Sequence, residues 1–586
     1  MTDQSLGIEP ELPVLARARR LSSRVFATRS LHPGVCWAIA ALLALAVAVW
    51  FWRTEGHTAN FVFTIGVTLA IAAFLLVVSQ RILFAAVVTA MIVAIVAWAA
   101  VMKRSAMDMV VHAYDLFFYL SSLSTLSFLW SDHRRLVVMF SVGVLALIGL
   151  GTLAWRRDAT RIARGQAAGL LVFAAAIGWI GAATKGERRH MQFNFENLYV
   201  SSFYASWAET IGTLWHGTLF EAAPKVRGVA SPVLRLAADC VGREKPPHIV
   251  LIHQESLVQP GLFPSVDYDR SVDAMFRSQD GLTRKLRVET YGGASWLTEF
   301  SILAGISTQA FGGMRQFVQT FTVNKLKDTL PQNLESCGYR NVVFYPMMRN
   351  FVSNDRFYAS IGLKEIYDIK AQKAPSVQER DRFYYGNALA EMERHIATSP
   401  KPLFTYIQTM SAHWPYDWIM EPKTEVRGGG PGTHPDMHEY LRRVSMAKMD
   451  YDFLIGELKR RFPTEKILIV QYGDHQPSAT RMLVGYKEDV DFEGITVQDD
   501  NPAFITYYAV DSLNYKLPAL PQHEVTDVPY LGMIIQDLAG LPLSDANKER
   551  KRLMALCQGR YNSCSQRQEI LSFHRRLIDS GIIAAR

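Results

Sequence analysis

The chain has 586 residues, too many for one domain, and 49% of them are hydrophobic. The formal net charge of +8 is spread along its length without a Lys/Arg block interleaved with aromatics, which excludes a nucleic-acid partner. The composition is uneven. Residues 35–184 carry long apolar stretches and the remainder has ordinary globular composition.

In chain order, a basic arm (1–34) comes first, with Arg17, Arg19, Arg20, Arg24 and Arg29. Five stretches then reach the roughly 17–25 apolar residues that a bilayer crossing needs. They are 35–52, 59–79, 82–102, 136–154 and 167–184. The first is not read as a cleaved signal, because further spans follow it and no small-residue cleavage site does. A sixth candidate, Ala113 to Trp130, contains Asp115 and crowds Tyr114, Phe117, Phe118 and Tyr119 together, which suits an interfacial or re-entrant helix. Charge decides between five and six. With five spans, Arg81 and the four arginines between Trp155 and Arg164 share the side of the basic arm, as the positive-inside rule requires. With six, that loop faces outward. Five spans predict a multi-pass protein of the bacterial inner (plasma) membrane, with a cytoplasmic N-terminus and everything after Lys185 outside the cytoplasm, in the periplasm of a Gram-negative cell. The spans hold almost no ionisable residues, which argues against a transporter.

Residues 185–245 form a juxtamembrane linker in which Phe193 to Tyr199 and Phe203 to Trp207 alternate aromatic and polar groups. That pattern suits the headgroup layer, and packing against the soluble part is the alternative. From 246 to 541 strands and helices alternate, predicting an extracytoplasmic α/β domain with a mainly parallel sheet. His248–Gln254, Asn341–Tyr345, Leu403–Thr409, Ile467–Gly473 and Ala503–Val510 read as strands; Pro331–Cys337, closed by Gly338, and Arg380–Ile396 read as helices. Gly428 to Gly432 is a surface loop, and 542–586 is a helical C-terminal extension.

Four stretches are read as apolar runs ending in groups suited to phosphate chemistry. The first strand ends at Glu255, Tyr291-Gly-Gly-Ala-Ser295 presents a hydroxyl, Leu403–Thr409 is followed by His413, and Ile467–Gly473 by Asp474-His475. In parallel sheets ligands gather beyond the carboxyl ends of strands. Ser295 opens the amphipathic run Trp296 to Leu303, where free amides at a helix start favour phosphoryl oxygens; a plain serine cap is the alternative. Carboxylates and imidazole can ligate Zn²⁺ or Mn²⁺, and a hydroxyl on such an ion becomes a nucleophile. His413 can serve phosphoryl binding or leaving-group protonation, or be structural. His434 and His438 have ligand spacing but follow the glycine loop without a clear helix. Of the five cysteines, Cys36 lies in an apolar span, and Cys557 and Cys564 close a short loop that can be a disulfide outside the cytoplasm.

The ordered set Glu255, Gly-Gly-Ala-Ser295-Trp-Leu-Thr-Glu-Phe, Ser-Ala-His413-Trp-Pro-Tyr and Gly-Asp474-His475, behind five spans, resembles the alkaline phosphatase/sulfatase superfamily. It is most similar to the membrane-bound lipoteichoic acid synthase-like branch. The resemblance implies one divalent metal (Mn or Zn, with Mg an alternative) held by Glu255, Ser295, Asp474 and His475. It implies Ser295 as nucleophile, a place where many relatives use threonine, and His413 as the phosphoryl-binding or leaving-group residue. The segment 343–358 is similar to the branch's headgroup-binding segment. Where lipoteichoic acid synthases have His and Arg, this chain has Tyr345 and Asn354, leaving Arg349 or Arg356 to supply a cation. Trp296 and Trp414 complete the expected substrate surface. No Cys/Ser-x-Pro-x-Arg motif surrounds Ser295, which counts against sulfate ester hydrolysis, and the absence of cysteine there favours phosphoglycerol over phosphoethanolamine. The expected activity is transfer of phosphoglycerol from phosphatidylglycerol in the membrane to a glycan hydroxyl, on a periplasmic glucan or surface polysaccharide, with release of diacylglycerol. The alternatives are transfer of phosphoethanolamine from phosphatidylethanolamine, phosphoester hydrolysis, and a non-catalytic role in glycan assembly.

Overall fold

The computed structural model describes residues 30–55, 58–107, 111–119, 130, 134–184, 199–219, 233–236, 240, 245–351, 354–424, 434–485 and 501–584. These fall into two compact units, one made of residues up to 111, 130–184 and 199–204, the other of 112–119 and 205–584. Most of the basic arm, most of the linker, the glycine loop and most of the sixth apolar candidate lie outside the described residues.

The first unit contains helices α1 (Pro33–Thr54), α2 (Thr58–Ser79), α3 (Ile82–Met107), α4 (Arg134–Arg157) and α5 (Arg164–Ala183). All five are long and apolar enough to cross a membrane, at the positions read from the sequence. α1 starts where His32 caps Gly34 N and Pro33 occupies the first turn, a position where its missing N–H is not needed. The arginine-bearing ends meet. Arg81 donates to Asp158 O at 2.8 Å and its guanidinium lies 4.7 Å from the Trp155 ring. Leu31 N donates to Arg157 O, and Ile162 N to Gln80 O. The end of the basic arm, the α2–α3 turn and the α4–α5 loop therefore share one end of this unit, as five spans require. Helix α6 (Val200–His216) follows.

In the second unit a π-helical turn covers Asp115–Tyr119, and strands and helices then alternate. They are β1 (His248–Gln254), β2 (Arg284–Arg287), α7 (Ser295–Ala304), α8 (Leu330–Ser336), β3 (Arg340–Phe344), α9 (Asn354–Ser360), β4 (Glu365–Tyr367), α10 (Asp381–Thr398), β5 (Leu403–Gln408), α11 (Pro435–Arg461), β6 (Ile467–Gly473), β7 (Ile505–Leu513), β8 (Val525–Asp527), α12 (Leu531–Leu538), α13 (Asp545–Leu556) and α14 (Arg567–Asp579). The sheet order is β4-β3-β5-β1-β6-β7-β2-β8. The run from β4 to β6 is parallel, and β7 is antiparallel to both β6 and β2. This is the mainly parallel α/β domain that the β-branched runs predict.

Every residue of β1 is buried because the strand feeds two cores. Ile249 and Leu251 pack with α7, α8 and α12 on one face, and Val250 and Ile252 with α10 and α11 on the other. Each such side chain contributes about 1.5–3 kcal/mol on burial, which explains why a central strand has no polar alternation until its last residues. α13 and α14 send Leu553, Phe573 and Leu577 into the first of these cores.

Three features depart from the sequence reading. Ser295 does not end an apolar strand: the strand before it, β2, is the charged Arg284-Lys-Leu-Arg287, and Ser295 comes eight residues later as the first residue of α7. α11 was not anticipated, and it places His434 at its N-cap, where the ring accepts from Asp436 N at 3.3 Å instead of facing a metal. Besides the expected Cys557–Cys564 disulfide, a second joins Cys240 to Cys337.

Candidate active site

β1 and β6 are adjacent and in register, with Gln254 opposite Gly473, so Glu255 and Asp474 leave neighbouring strands side by side. A Cβ on Gly473 would fall 2.0 Å from Leu257 O, so only glycine lets the two strand ends approach this closely. Ser256 N donates to Asp474 Oδ1 at 2.7 Å and Ser256 Oγ to Glu255 Oε1 at 2.9 Å, locking the two carboxylates together.

The turn before α7 aims the hydroxyl. Gly292 has φ 70°, and Ala294 occupies the N-cap position in the left-handed region with φ 59°. An alanine held there costs about 1–2 kcal/mol, a strain that recurs at functional turns. With Ala294 at the cap, Ser295 is not the capping serine that was its alternative reading. Its Oγ instead donates to Glu255 Oε2 at 2.9 Å and lies 3.3 Å from His475 Nε2. Two bonds stitch this turn to the end of β6: Gly292 N to Gln476 O (2.9 Å) and Thr298 Oγ1 to Asp474 O (2.6 Å).

His475 Nδ1 lies 2.9 Å from Gln476 O, and a carbonyl only accepts, so Nδ1 carries a proton and Nε2 faces the cluster. Nε2 is 3.4 Å from Glu255 Oε1 and 3.3 Å from Asp474 Oδ2. His253, two residues before Glu255 and thus on the same side of β1, brings Nε2 within 3.1 Å of Asp474 Oδ2 and 3.7 Å of Glu255 Oε2. Burial alone would depress both imidazoles. The charges of Asp474 and Glu255 outweigh it and push His253 up to about 10 and His475 up to about 9. For Glu255, burial acts upward, but the nearby imidazoles of His253 and His475 hold its carboxyl well below the usual range. Two buried carboxylates therefore demand positive charge, which protons on the imidazoles or a divalent cation can supply. The donor set of carboxylates, imidazole and hydroxyl fits Zn²⁺ or Mn²⁺, and Asp474 Oδ2 is a buried oxygen without a hydrogen-bond partner.

His413 follows β5, and its charge bears on Glu255. Its Nδ1 bonds Trp414 O, so Nδ1 holds the proton and Nε2 is the atom available for exchange. The loop carrying it contains a cis Trp414–Pro415 peptide and is clamped by buried Arg443 of α11, which donates to the carbonyls of His413 (2.6 Å), Pro415 (2.9 Å) and Trp418 (3.2 Å). Trp414 is 58% exposed beside it.

The other expected substrate residues divide. Tyr345 and Asn354 are both buried, with Asn354 near the tyrosine hydroxyl. Burial, then the charges of Glu299 and Glu255, raise Tyr345 well above its ordinary value, which puts this pair in the field of the site. Trp296 donates its indole N–H to Gln316 O at 3.0 Å. Arg349 is tied to the end of β4, donating to Ile366 O at 2.9 Å, and Arg356 is exposed on α9. Neither guanidinium bonds the carboxylate cluster among the described residues.

Three residues gained no role from the sequence. His253 was signalled by its i,i+2 spacing from Glu255. Glu299, one turn beyond Ser295, is buried and accepts from Gln319 and Gln408 (2.7 Å each) and from Tyr358, tying α7 to β5 and α9. Arg443 carried no local signal, because its partners are carbonyls 25–30 residues away.

Residues 247–506 match the model of the Sulfatase family. An uncharacterized protein of Haemophilus influenzae is 23% identical over 364 residues, which make up 58% of this chain and 62% of that protein, under two thirds of its length. Among solved structures, the Streptococcus pyogenes phosphoglycerol transferase GacH in complex with sn-glycerol-1-phosphate shares 15% identity, with a TM-score of 0.46 over 59% of this chain and 88% of that one. The integral membrane lipooligosaccharide phosphoethanolamine transferase A of Neisseria meningitidis shares 12%, with a TM-score of 0.46 over 86% of this chain and 95% of that one.

Proposed function

We propose, from a chain whose residues 247–506 match the model of the Sulfatase family, that this membrane protein transfers phosphoglycerol from phosphatidylglycerol to a glycan hydroxyl outside the cytoplasm. The observation that carries the reading is Ser295 Oγ, freed from capping and held 2.9 Å from Glu255 Oε2 within a buried carboxylate–imidazole cluster.

Glu255, Ser295, Asp474 and His475 would hold one divalent cation, which would ease deprotonation of the serine hydroxyl and offset charge on the phosphoryl oxygens. Ser295 Oγ attacks phosphorus. The Oγ–P bond forms as the bond from phosphorus to the diacylglycerol oxygen breaks, and the serine proton passes to the carboxylate that already accepts it. A protonated His413 gives its Nε2 proton to the departing diacylglycerol oxygen. In the second half a glycan hydroxyl gives its proton to His413 and bonds to phosphorus as the bond from phosphorus to Ser295 Oγ breaks, and Oγ takes back the proton held by Glu255. Arg443 keeps His413 at the mouth of the site throughout. Tyr345 and Asn354, buried in the field of the site, are neutral hydrogen-bonding groups, which match a glycerol diol. Carrying the site on a membrane-anchored chain keeps it close to its lipid donor.

A purified full-length preparation, supplied with Mn²⁺ or Zn²⁺, is incubated separately with phosphatidylglycerol and phosphatidylethanolamine vesicles, and diacylglycerol is measured. Release from phosphatidylglycerol alone supports the reading. Release from phosphatidylethanolamine alone replaces the headgroup, and release from neither refutes the transferase. Release that needs no glycan and leaves free glycerol phosphate makes the protein a hydrolase.

A further inference from the structure

We infer that His253 is a further protein ligand of the divalent cation, binding through Nε2, so that two imidazoles and not one face the ion. This rests on the metal-site reading above and adds to it a residue that the sequence pattern left without a role.

Geometry is the first argument. Atoms that share a cation at roughly 2.0–2.2 Å lie about 3–3.6 Å from one another in tetrahedral or octahedral sites. His253 Nε2 is 3.1 Å from Asp474 Oδ2 and 3.7 Å from Glu255 Oε2. His475 Nε2 is 3.3 Å from the same Asp474 Oδ2 and 3.4 Å from the other Glu255 oxygen, Oε1. Both imidazoles thus border the same pair of carboxylates, and His253, Glu255 and Asp474 form a buried group able to hold a metal ion.

The second argument is what the short contact lacks. His253 Nε2 and Asp474 Oδ2 are both buried and neither has a hydrogen-bond partner, although they are 3.1 Å apart. The ring is close enough to donate to the carboxylate but not aligned to do so. A buried polar atom left in this state is destabilising, and a cation reached by both atoms removes the deficit at once.

The third argument comes from the far side of the ring. His253 Nδ1 lies 3.0 Å from Tyr472 Oη and 3.2 Å from Tyr406 Oη, and the two hydroxyls are 2.9 Å from each other. They come from β6 and β5, the two strands that flank β1. With Nδ1–H donating to this pair, the Nε2 lone pair is left for a metal, the arrangement by which outer partners orient metal-bound histidines. A counter-ion to Asp474 needs no such orientation of its other nitrogen.

The test uses full-length protein stripped of metal. Mn²⁺ is bound to protein labelled with ¹⁵N-histidine, and pulsed electron paramagnetic resonance counts the coupled imidazole nitrogens: two are expected, and one overturns the inference. Titration of Mn²⁺ and Zn²⁺ into His253→Gln should show affinity weakened at least 10–100-fold relative to wild type. Unchanged affinity overturns it. If His253→Gln does not fold, the nitrogen count on the wild-type protein decides alone. Tyr472→Phe should weaken affinity less and keep two coupled nitrogens. Failure of the wild-type protein to bind either ion brings down the metal reading and this inference together, whereas binding with a single coupled nitrogen removes His253 only.

Discussion

Gly473→Ala puts the geometry of the site under a single methyl group. The added Cβ would lie 2.0 Å from Leu257 O, whereas carbon and carbonyl oxygen in close contact sit roughly 3.3–3.6 Å apart. The end of β6 and the turn after β1 must therefore separate by about 1 Å or more. One segment carries Asp474 and the other Glu255 and Ser256, so the 2.7 Å bond from Ser256 N to Asp474 Oδ1 is the first to stretch. Overpacking of this kind costs about 1–3 kcal/mol of stability. A misplacement of about 1 Å among reacting groups costs on the order of 10²-fold in turnover. The variant should melt a few degrees lower, stay folded at assay temperature, bind Mn²⁺ more weakly and release diacylglycerol about 100-fold more slowly. Turnover and metal affinity both within twofold of wild type would refute the claim that Glu255 and Asp474 act as a pair held by this approach.

Thr298→Val removes the bond to Asp474 O and leaves a buried carbonyl short of a donor; about 1–3 kcal/mol of stability should be lost, with a fall in turnover that Thr298→Ser restores. His248 gives a pH dependence. Burial, helped by Lys245, holds its pKa at about 4 against 6.5, and its Nδ1 accepts from Leu403 N at 2.9 Å. The folded chain thus refuses a proton that the unfolded chain takes. The associated stability is fully present above pH 6.5 and lost as pH falls toward 4, about 3 kcal/mol in total. His248→Gln should flatten that part of the acid melting profile, and an unchanged profile contradicts it. With Cys240–Cys337 and Cys557–Cys564 closed, only Cys36 should accept a maleimide in denatured, unreduced protein. Labelling of all five cysteines would contradict an extracytoplasmic catalytic unit.

The parts of this protein that could be read from its sequence are those where one local signal suffices. Helices α1 to α5 announce themselves by length and apolarity, and β1, β5 and β6 by β-branched runs that bury both faces. Glu255 and Asp474-His475 could be placed because they directly follow such runs. Ser295 was found through its glycines but assigned the wrong kind of neighbour, since β2 is a charged strand beside β7 and β8 and has no apolar signature. α11 was missed because its first turn follows a glycine-rich loop and its surface is rich in Lys, Arg and Glu, although Pro435 and Asp436 are helix-start residues. His253 has only its i,i+2 spacing from Glu255 as a signal, because it lies inside a strand otherwise read as core. The clamp of Arg443 on the His413 loop is invisible in sequence because it is made with backbone carbonyls, which any residue supplies.

The proposed reaction passes through a phosphoryl group on Ser295. Full-length protein with bound metal, incubated with phosphatidylglycerol in the absence of any glycan acceptor, is quenched in acid, digested and examined by mass spectrometry. One glycerophosphoryl group is expected on the peptide containing Ser295, lost on adding an acceptor glycan and absent in Ser295→Ala. Diacylglycerol release that continues at the wild-type rate in Ser295→Ala, with no adduct on the wild-type peptide, would contradict it.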